Sequence, residues 1–180
     1  MMQEGERIMQ ILLRKFGKND IPNKVKWIND PLNNKYLHYD LPLEAEKTEI
    51  WFEKNKDRTD RYDAVIEMDK TAVGLIGLLN IDFKNSKAEY YICLGEQTVK
   101  GKGIAKIASL MLLKYAFQDL MLNKVYLYTE KENISAQALF EKIGFSKEGF
   151  LKEDLIHNGR KVDRFYYGIT KQEYQSKYPN

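Results

Sequence analysis

The patterning of the chain predicts an α/β fold in which a mixed sheet of about seven strands is flanked by about four helices. Three observations carry this. Runs rich in β-branched and aromatic residues recur along the chain, helix-period runs stand between some of them, and one abrupt strand-to-helix passage contains the glycine turn Lys100-Gly101-Lys102-Gly103-Ile104-Ala105.

In order, residues 7–15 alternate as a first strand, and residues 20–29 and 43–55 read as helices. The loop between these helices, residues 29–42, is dense in turn formers and aromatics: Pro31, Asn33, Asn34, Tyr36, His38, Tyr39, Asp40 and Pro42. Such a loop suits ligand contact better than core packing. Residues 62–68, 71–83 and 87–94 read as three strands, the first two joined at Asp69-Lys70, and the uninterrupted apolar run 72–79 marks the middle one as buried. A helix is expected over 103–120, with Ile104, Ile107, Ala108, Met111, Leu112 and Tyr115 on its apolar face. A strand at 124–129, a helix at 133–143 and strands at 145–156 and 161–169 complete the layer. The last two are joined by His157-Asn158-Gly159-Arg160, whose Asn-Gly is a strong hairpin signal.

At 180 residues and 43% hydrophobic, residues 1–180 are expected to form a single domain, and no Pro/Gly/Ser-rich linker divides them. A formal net charge of +3 with charged residues interspersed argues against a nucleic-acid footprint. The single cysteine excludes an internal disulfide framework, and the polar start Met1-Met2-Gln3-Glu4-Gly5-Glu6-Arg7 lacks the apolar stretch of a secretory signal, so the cytoplasm is expected. The run 72–79 is far too short to span a bilayer, which needs about 20 residues, so no membrane association is expected.

The glycine turn reads as a phosphate cradle. Glycine lets a ligand approach the backbone closely, free N–H groups at a helix start favour an anion, and Lys100, Lys102 and Lys106 add charge. A dinucleotide loop is excluded because the third small residue of its pattern would fall on Lys106, and a Walker loop because Gly101-Lys102 is followed by Gly103 rather than Ser or Thr. A pair of glycines before a helix is also compatible with a plain turn. The second constellation is Asn133-Ile134-Ser135-Ala136-Gln137-Ala138-Leu139-Phe140-Glu141-Lys142-Ile143-Gly144-Phe145. It reads as an Asn-capped helix with Ala136, Leu139, Phe140 and Ile143 inward and Gly144 as its stop.

Together these two segments resemble the GNAT superfamily of N-acetyltransferases, whose pyrophosphate loop has the pattern Arg/Gln-x-x-Gly-x-Gly/Ala. Here that loop is Lys100-x-x-Gly103-x-Ala105, with lysine in first place. The likeness runs from Arg7-Ile8-Met9-Gln10-Ile11-Leu12-Leu13-Arg14 to Tyr166-Tyr167-Gly168-Ile169. Leu122-Asn123-Lys124-Val125-Tyr126-Leu127, Glu132-Asn133 and Gly144-Phe145-Ser146-Lys147-Glu148-Gly149 are most similar to the ribosomal-protein N-terminal acetyltransferase-like branch, which includes spermidine and amino-sugar acetyltransferases. The resemblance implies a mostly antiparallel sheet and acetyl coenzyme A as co-substrate. It implies binding by Lys100, Gly101, Lys102, Gly103, Ile104 and Ala105, with the pantetheine arm along Ile92, Cys93 and Leu94 and beside Asn133 and Phe140. A backbone N–H at Leu94 or its neighbour would face the thioester oxygen.

Transfer to an alkylamine of pKa near ~10.4 needs a base or desolvation at neutral pH, and Glu89, at the position where several relatives carry a glutamate, is the candidate base. Its other reading is an ordinary glutamate on a half-exposed strand. Phe140 occupies the place where many relatives carry a tyrosine acid, and Ala136 that of another donor. Tyr128, Tyr90, Tyr91, His38 and His157 are weaker substitutes, and a thiol of pKa near ~8.5 also leaves unaided. Cys93 has no local ligand cluster, so neither a metal nor a covalent enzyme intermediate is expected.

The expected activity is direct acetyl transfer to a primary amine of a small molecule, with an amino sugar favoured. Spermidine or a protein N-terminus are the alternatives, and a non-catalytic acyl coenzyme A binder is the rival class. Tyr36, His38, Tyr39 and Asp40 are the expected acceptor contacts, aided by residues 157–163. Asp40, Glu44, Glu153 and Asp154 are available to pair with polyamine ammonium groups. A homodimer is compatible with this reading.

Overall fold

The computed structural model describes residues 9–179. Arg7 and Ile8, part of the first expected strand, lie outside them. Strand β1 spans Ile11–Lys15, followed by helices α1 (Ile21–Asn29), α2 (Pro31–Asn34) and α3 (Ala45–Asn55). Strands β2 (Tyr62–Met68), β3 (Thr71–Asp82) and β4 (Lys87–Leu94) lead to helix α4 (Ile104–Lys114). Strand β5 (Lys124–Glu130), helix α5 (Ile134–Ile143), strands β6 (Ser146–His157) and β7 (Arg160–Thr170) and helix α6 (Lys171–Lys177) complete the chain.

The seven strands form one sheet in the order β1-β2-β3-β4-β5-β7-β6. Every neighbouring pair is antiparallel except β4 and β5. This agrees with the expected mixed, mostly antiparallel sheet. Two short helices were not anticipated. Pro31–Asn34 lies in the loop of turn formers, where Asp30 caps it by accepting from Leu32 N–H, and Lys171–Lys177 is started by a capping box of Thr170 and Glu173. The long fourth helix also ends early: after Lys114 the chain widens into a π turn over Tyr115–Asp119.

Two apolar layers clamp the sheet. On one face α4, α5 and α6 pack Ile104, Leu112, Phe117, Phe140, Ile143 and Tyr174 against Ile76, Leu78, Tyr90 and Leu127. On the other, α1 and α3 press Ile21, Trp27, Trp51 and Phe52 onto Phe16, Val65 and Leu75. Burial of this kind contributes about 25 cal/mol per Å² of apolar surface, which fixes the helices against the sheet. Ile107, expected on the buried face of α4, is 39% exposed, because the buried stripe runs through Ala108, Leu112 and Leu113 instead. The hairpin turns are as expected: Asp69, Lys70, Asn158 and Gly159 all have positive φ.

The decisive feature lies at the one parallel pair. β4 and β5 are in register only from Lys87↔Lys124 to Glu89↔Tyr126. Beyond that, residues 90–94 pair with β3 and residues 127–130 with β7, so the strands part company and leave two inner edges.

Candidate active site

The open edge of β4 follows from its pairing. Gly95 N–H donates to Val73 O at 2.8 Å, so in antiparallel alternation Cys93 and Tyr91 also direct their backbone groups to β3. Ile92 and Leu94 therefore turn theirs into the gap. The Leu94 N–H, expected to face a thioester oxygen, points that way.

After β4 the chain runs beneath the Trp27 ring, and only glycine fits at position 95, since a Cβ there would stand 2.1 Å from the indole. Gly101 and Gly103 adopt φ +78° and +79°, a left-handed conformation that glycine takes without strain. No atom lies within 4 Å of where a Cβ would sit on either, so the turn is open on its outer side. Gly103 is the N-cap of α4, and the N–H groups of residues 101–106 have no backbone acceptor among the described residues. A ring of free donors at the positive end of an 11-residue helix fits a pyrophosphate. Ile104 contributes its N–H alone, because its side chain is buried in the core.

Asn33 ties this region together. Its amide nitrogen donates to Trp27 O at 3.1 Å and Gly95 O at 2.8 Å, while its oxygen accepts from Gln97 at 2.7 Å and from Lys100 Nζ at 2.8 Å. One side chain thus uses its full hydrogen-bonding capacity to hold the end of β4 and the cation at the first loop position. The sequence showed Asn33 only as a turn former.

Asn133 caps α5, its side chain accepting from Ala136 N–H at 3.3 Å. Phe140 is 7% exposed and lies among the rings of Tyr90, Phe145 and Tyr167, with centroids 5.8–6.3 Å away. It packs where a phenol would be needed for acid chemistry.

These elements enclose a cleft of about 590 Å³ between the parted strands. It brings together Tyr36, His38, Glu89, Ile92, Cys93, Leu94, Lys100, Ala105, Asn133 and Phe140. Gly101, Lys102, Gly103 and Ile104 are not among its lining residues, and two of the four expected acceptor contacts are elsewhere. Tyr39 lines a neighbouring cavity, where burial pushes its phenol up to about 12, and Asp40 is exposed and lines neither. The loop turns over between His38 and Tyr39, so consecutive side chains face different spaces. The carboxylates expected to meet ammonium groups are also engaged by neighbours: Glu44 with Lys47, Glu153 with Lys161, Asp154 with Arg164.

Glu89 lines the cleft where the strands part and accepts from Asn80 Nδ2 at 2.9 Å through one oxygen. The acidic residue that sequence reasoning missed is Glu130, at the end of β5. Its side chain is 1% exposed, yet it accepts from Arg160 at 3.0 Å and meets His38 Nε2 at 2.8 Å. Burial alone would raise its pKa. The bonds to His38 and Arg160 and the Arg160 charge outweigh that and hold the carboxyl below its ordinary value. The His38 ring also stands edge-on to that of His157, and Tyr36 OH donates to Glu132 O at 3.1 Å. One buried carboxylate therefore clasps the loop to the β6–β7 hairpin across the mouth of the cleft.

Of the substitute acids, Tyr90 is spent on Ser109 at 2.6 Å and Tyr91 on Asp63 at 2.6 Å, and burial raises both phenols further out of range. Tyr128 and His38 stay in the cleft. Burial lifts the Cys93 thiol to about 11, which disfavours a thiolate nucleophile.

Residues 10–146 match the acetyltransferase (GNAT) domain family. The spermidine N(1)-acetyltransferase of Vibrio cholerae is 32% identical over 178 residues, covering 95% of this chain and 96% of that protein. That of Escherichia coli is 30% identical, covering 82% and 88%. The crystal structure of the Vibrio cholerae spermidine N-acetyltransferase in complex with CoA and spermine superposes with a TM-score of 0.85 at 29% identity, over 92% of this chain and 98% of that one. With a parted sheet, an open glycine turn and this breadth of likeness, the chain belongs to the GNAT acetyltransferase family, in the branch that contains the spermidine acetyltransferases, and is an N-acetyltransferase that uses acetyl coenzyme A as co-substrate.

Proposed function

We propose that the chain, acting as a single domain, acetylates a primary amine of a polyamine such as spermidine. The amino sugar favoured on sequence gives way here. The observation that carries the change is the likeness to a spermidine acetyltransferase over 95% of the chain, joined by one to a structure holding spermine. The cleft is compatible with it: Glu89 places a carboxylate where the strands part, with one oxygen bonded to Asn80, and an ammonium group is drawn to such a charge.

In this reading the N–H groups of residues 101–106 and the Lys100 ammonium hold the pyrophosphate, and Asn133 and the inner edge of β4 hold the arm. The bound thioester supplies the acetyl group. Glu89, through water, takes the proton that the amine must lose, since an alkylamine of pKa near ~10.4 is almost wholly protonated at neutral pH. The Leu94 N–H stabilises negative charge on the carbonyl oxygen. Phe140 has no proton to give, so coenzyme A departs as thiolate and solvent protonates it, which a thiol of pKa near ~8.5 permits.

The test is thiol release with spermidine, spermine, a nucleotide-linked amino sugar and an N-terminal peptide at matched concentrations. Spermidine or spermine is expected to give the highest kcat/KM. A preference of tenfold or more for the sugar or the peptide overturns the acceptor assignment, and no thiol release with any amine overturns catalysis itself.

A further inference from the structure

Beside the cleft lies a second cavity of about 290 Å³, sharing the walls Leu37, Leu79, Tyr91, Ile92 and Cys93 with it. The rest of its lining is mostly aromatic or aliphatic, with Ile28, Trp51 and Leu75 prominent. Its charges are unevenly matched. Arg61 is neutralised by Asp63 through two bonds of 2.6 and 2.9 Å, and Asp63 also accepts from Tyr91 OH at 2.6 Å. Lys24 has no such bond. It is 7% exposed, its Nζ lies 3.4 Å from the centroid of the Trp51 ring, and among the described residues it has no hydrogen-bond acceptor.

The Lys24 ammonium thus has three donors, two aromatic faces and the charge of Asp63 nearby, but no hydrogen-bond acceptor on a side chain or backbone group among the described residues. Burial lowers the Lys24 pKa to about 8, against the pull of Asp63, so the group is still largely a cation at neutral pH. The Tyr39 hydroxyl lines the same cavity and also lacks an acceptor among the described residues. Two donors without an acceptor among the described residues, one of them charged, thus line a largely apolar cavity large enough for a ring. A polyamine does not suit this chamber, because Lys24 repels it.

We propose that the cavity is a binding site for a small organic carboxylate with a planar apolar body, of the benzoate class, its carboxylate held by Lys24 and Tyr39 and its body against Trp51. The site goes beyond the acetyl-transfer reading and does not depend on the acceptor being a polyamine.

The test is calorimetric titration of the intact protein with benzoate, with the neutral isostere benzamide and with inorganic phosphate. Benzoate is expected to bind at least about tenfold more tightly than either, the amide lacking charge and the phosphate lacking an apolar body. Lys24→Met should reduce benzoate to the level of benzamide while leaving benzamide unchanged. Removing a buried charge that has no hydrogen-bond acceptor should not lower the melting temperature, and if it does, the comparison of ligands on the unaltered protein still decides. Equal binding of benzoate and benzamide, phosphate binding as tightly as benzoate, no binding of benzoate, or a preference that survives Lys24→Met each overturns the proposal. Spermidine turnover plays no part in the readout, so failure of the acceptor assignment leaves it standing.

Discussion

The two sides of the cleft are held by different kinds of interaction. On the side proposed for the coenzyme, the groups on offer are backbone N–H groups of one short turn, set by two glycines of positive φ and the start of α4. On the acceptor side the shape is set by side chains that meet across long separations: His38 and Glu130 are 92 residues apart in the chain, Tyr36 and Glu132 are 96 apart, and Arg160 reaches 30 residues back to Glu130. A backbone site tolerates most side-chain changes and fails only when its conformation or openness is altered. A clasp of side chains can be retuned one residue at a time, and that is where we propose that acceptor choice resides.

The sharpest way to break this contrast is Gly103→Asp. Any L-residue is strained at φ +79°, and a carboxylate at the donors repels a phosphate. Acetyl coenzyme A at 100 times its Kd should stabilise the unaltered protein by about 2.7 kcal/mol, a rise of roughly 5–10 °C in Tm. In the variant that rise and the turnover should both vanish. A variant that keeps the full rise would remove the turn from cofactor binding.

Next in size is Glu89→Gln, placed where the two sides meet. Turnover should fall by ~10²-fold or more near neutral pH and recover partly as pH rises toward the amine's own pKa, with the acetyl coenzyme A shift in Tm intact. Rates equal to those of the unaltered protein from about pH 6 to 9 would return Glu89 to the surface role that its strand position also allows.

Glu130→Gln sharpens the comparison. It keeps the shape but removes the charge that His38 and Arg160 share, so the amine KM should rise by about tenfold while cofactor stabilisation is unchanged. Equal damage to both substrates would show that the sides are not separable. Acid should undo the clasp as well. Glu130 and Asp63 are held below their ordinary pKa values, each despite burial, by hydrogen bonds from His38 and Arg160 and from Arg61 and Tyr91 respectively. A depressed carboxyl contributes stability above its unfolded pKa and loses that contribution as pH falls through its folded pKa. Tm is therefore expected to be level from about pH 8 to 5 and to drop below roughly 4.5. The smallest effect belongs to Tyr36→Phe, which removes one exposed hydrogen bond at 3.1 Å and should change the acceptor's kcat/KM by about threefold at most.

How much of this was legible follows from how locally each feature is encoded. The apolar runs of β2 and β3, the Asn-Gly hairpin, the Asn133 cap and the glycine turn are decided within a few residues of themselves, and reading along the chain recovered them nearly to the residue. The capping box Thr170-x-x-Glu173 was equally local, and α6 could have been read from it. Glu130 had no such signal. An acid before a turn looks like any surface acid until a histidine and an arginine from distant segments bury it. For the same reason Tyr39 and Asp40 were placed in the cleft with Tyr36 and His38, although the loop turns them elsewhere.

By itself, then, the sequence determined the order of the strands and of the four longer helices, the glycine turn and the absence of a phenol at Phe140, because backbone preference and residue identity need no partner. Only the tertiary structure decided that β4 and β5 part after Glu89, that the inner edge of β4 faces the gap, and that Glu130 rather than Asp40 lines the cleft. It alone also left Lys24 over Trp51 without an acceptor. These depend on which segments pack together, and that choice is made by burial summed over the whole sheet rather than by any local run of residues.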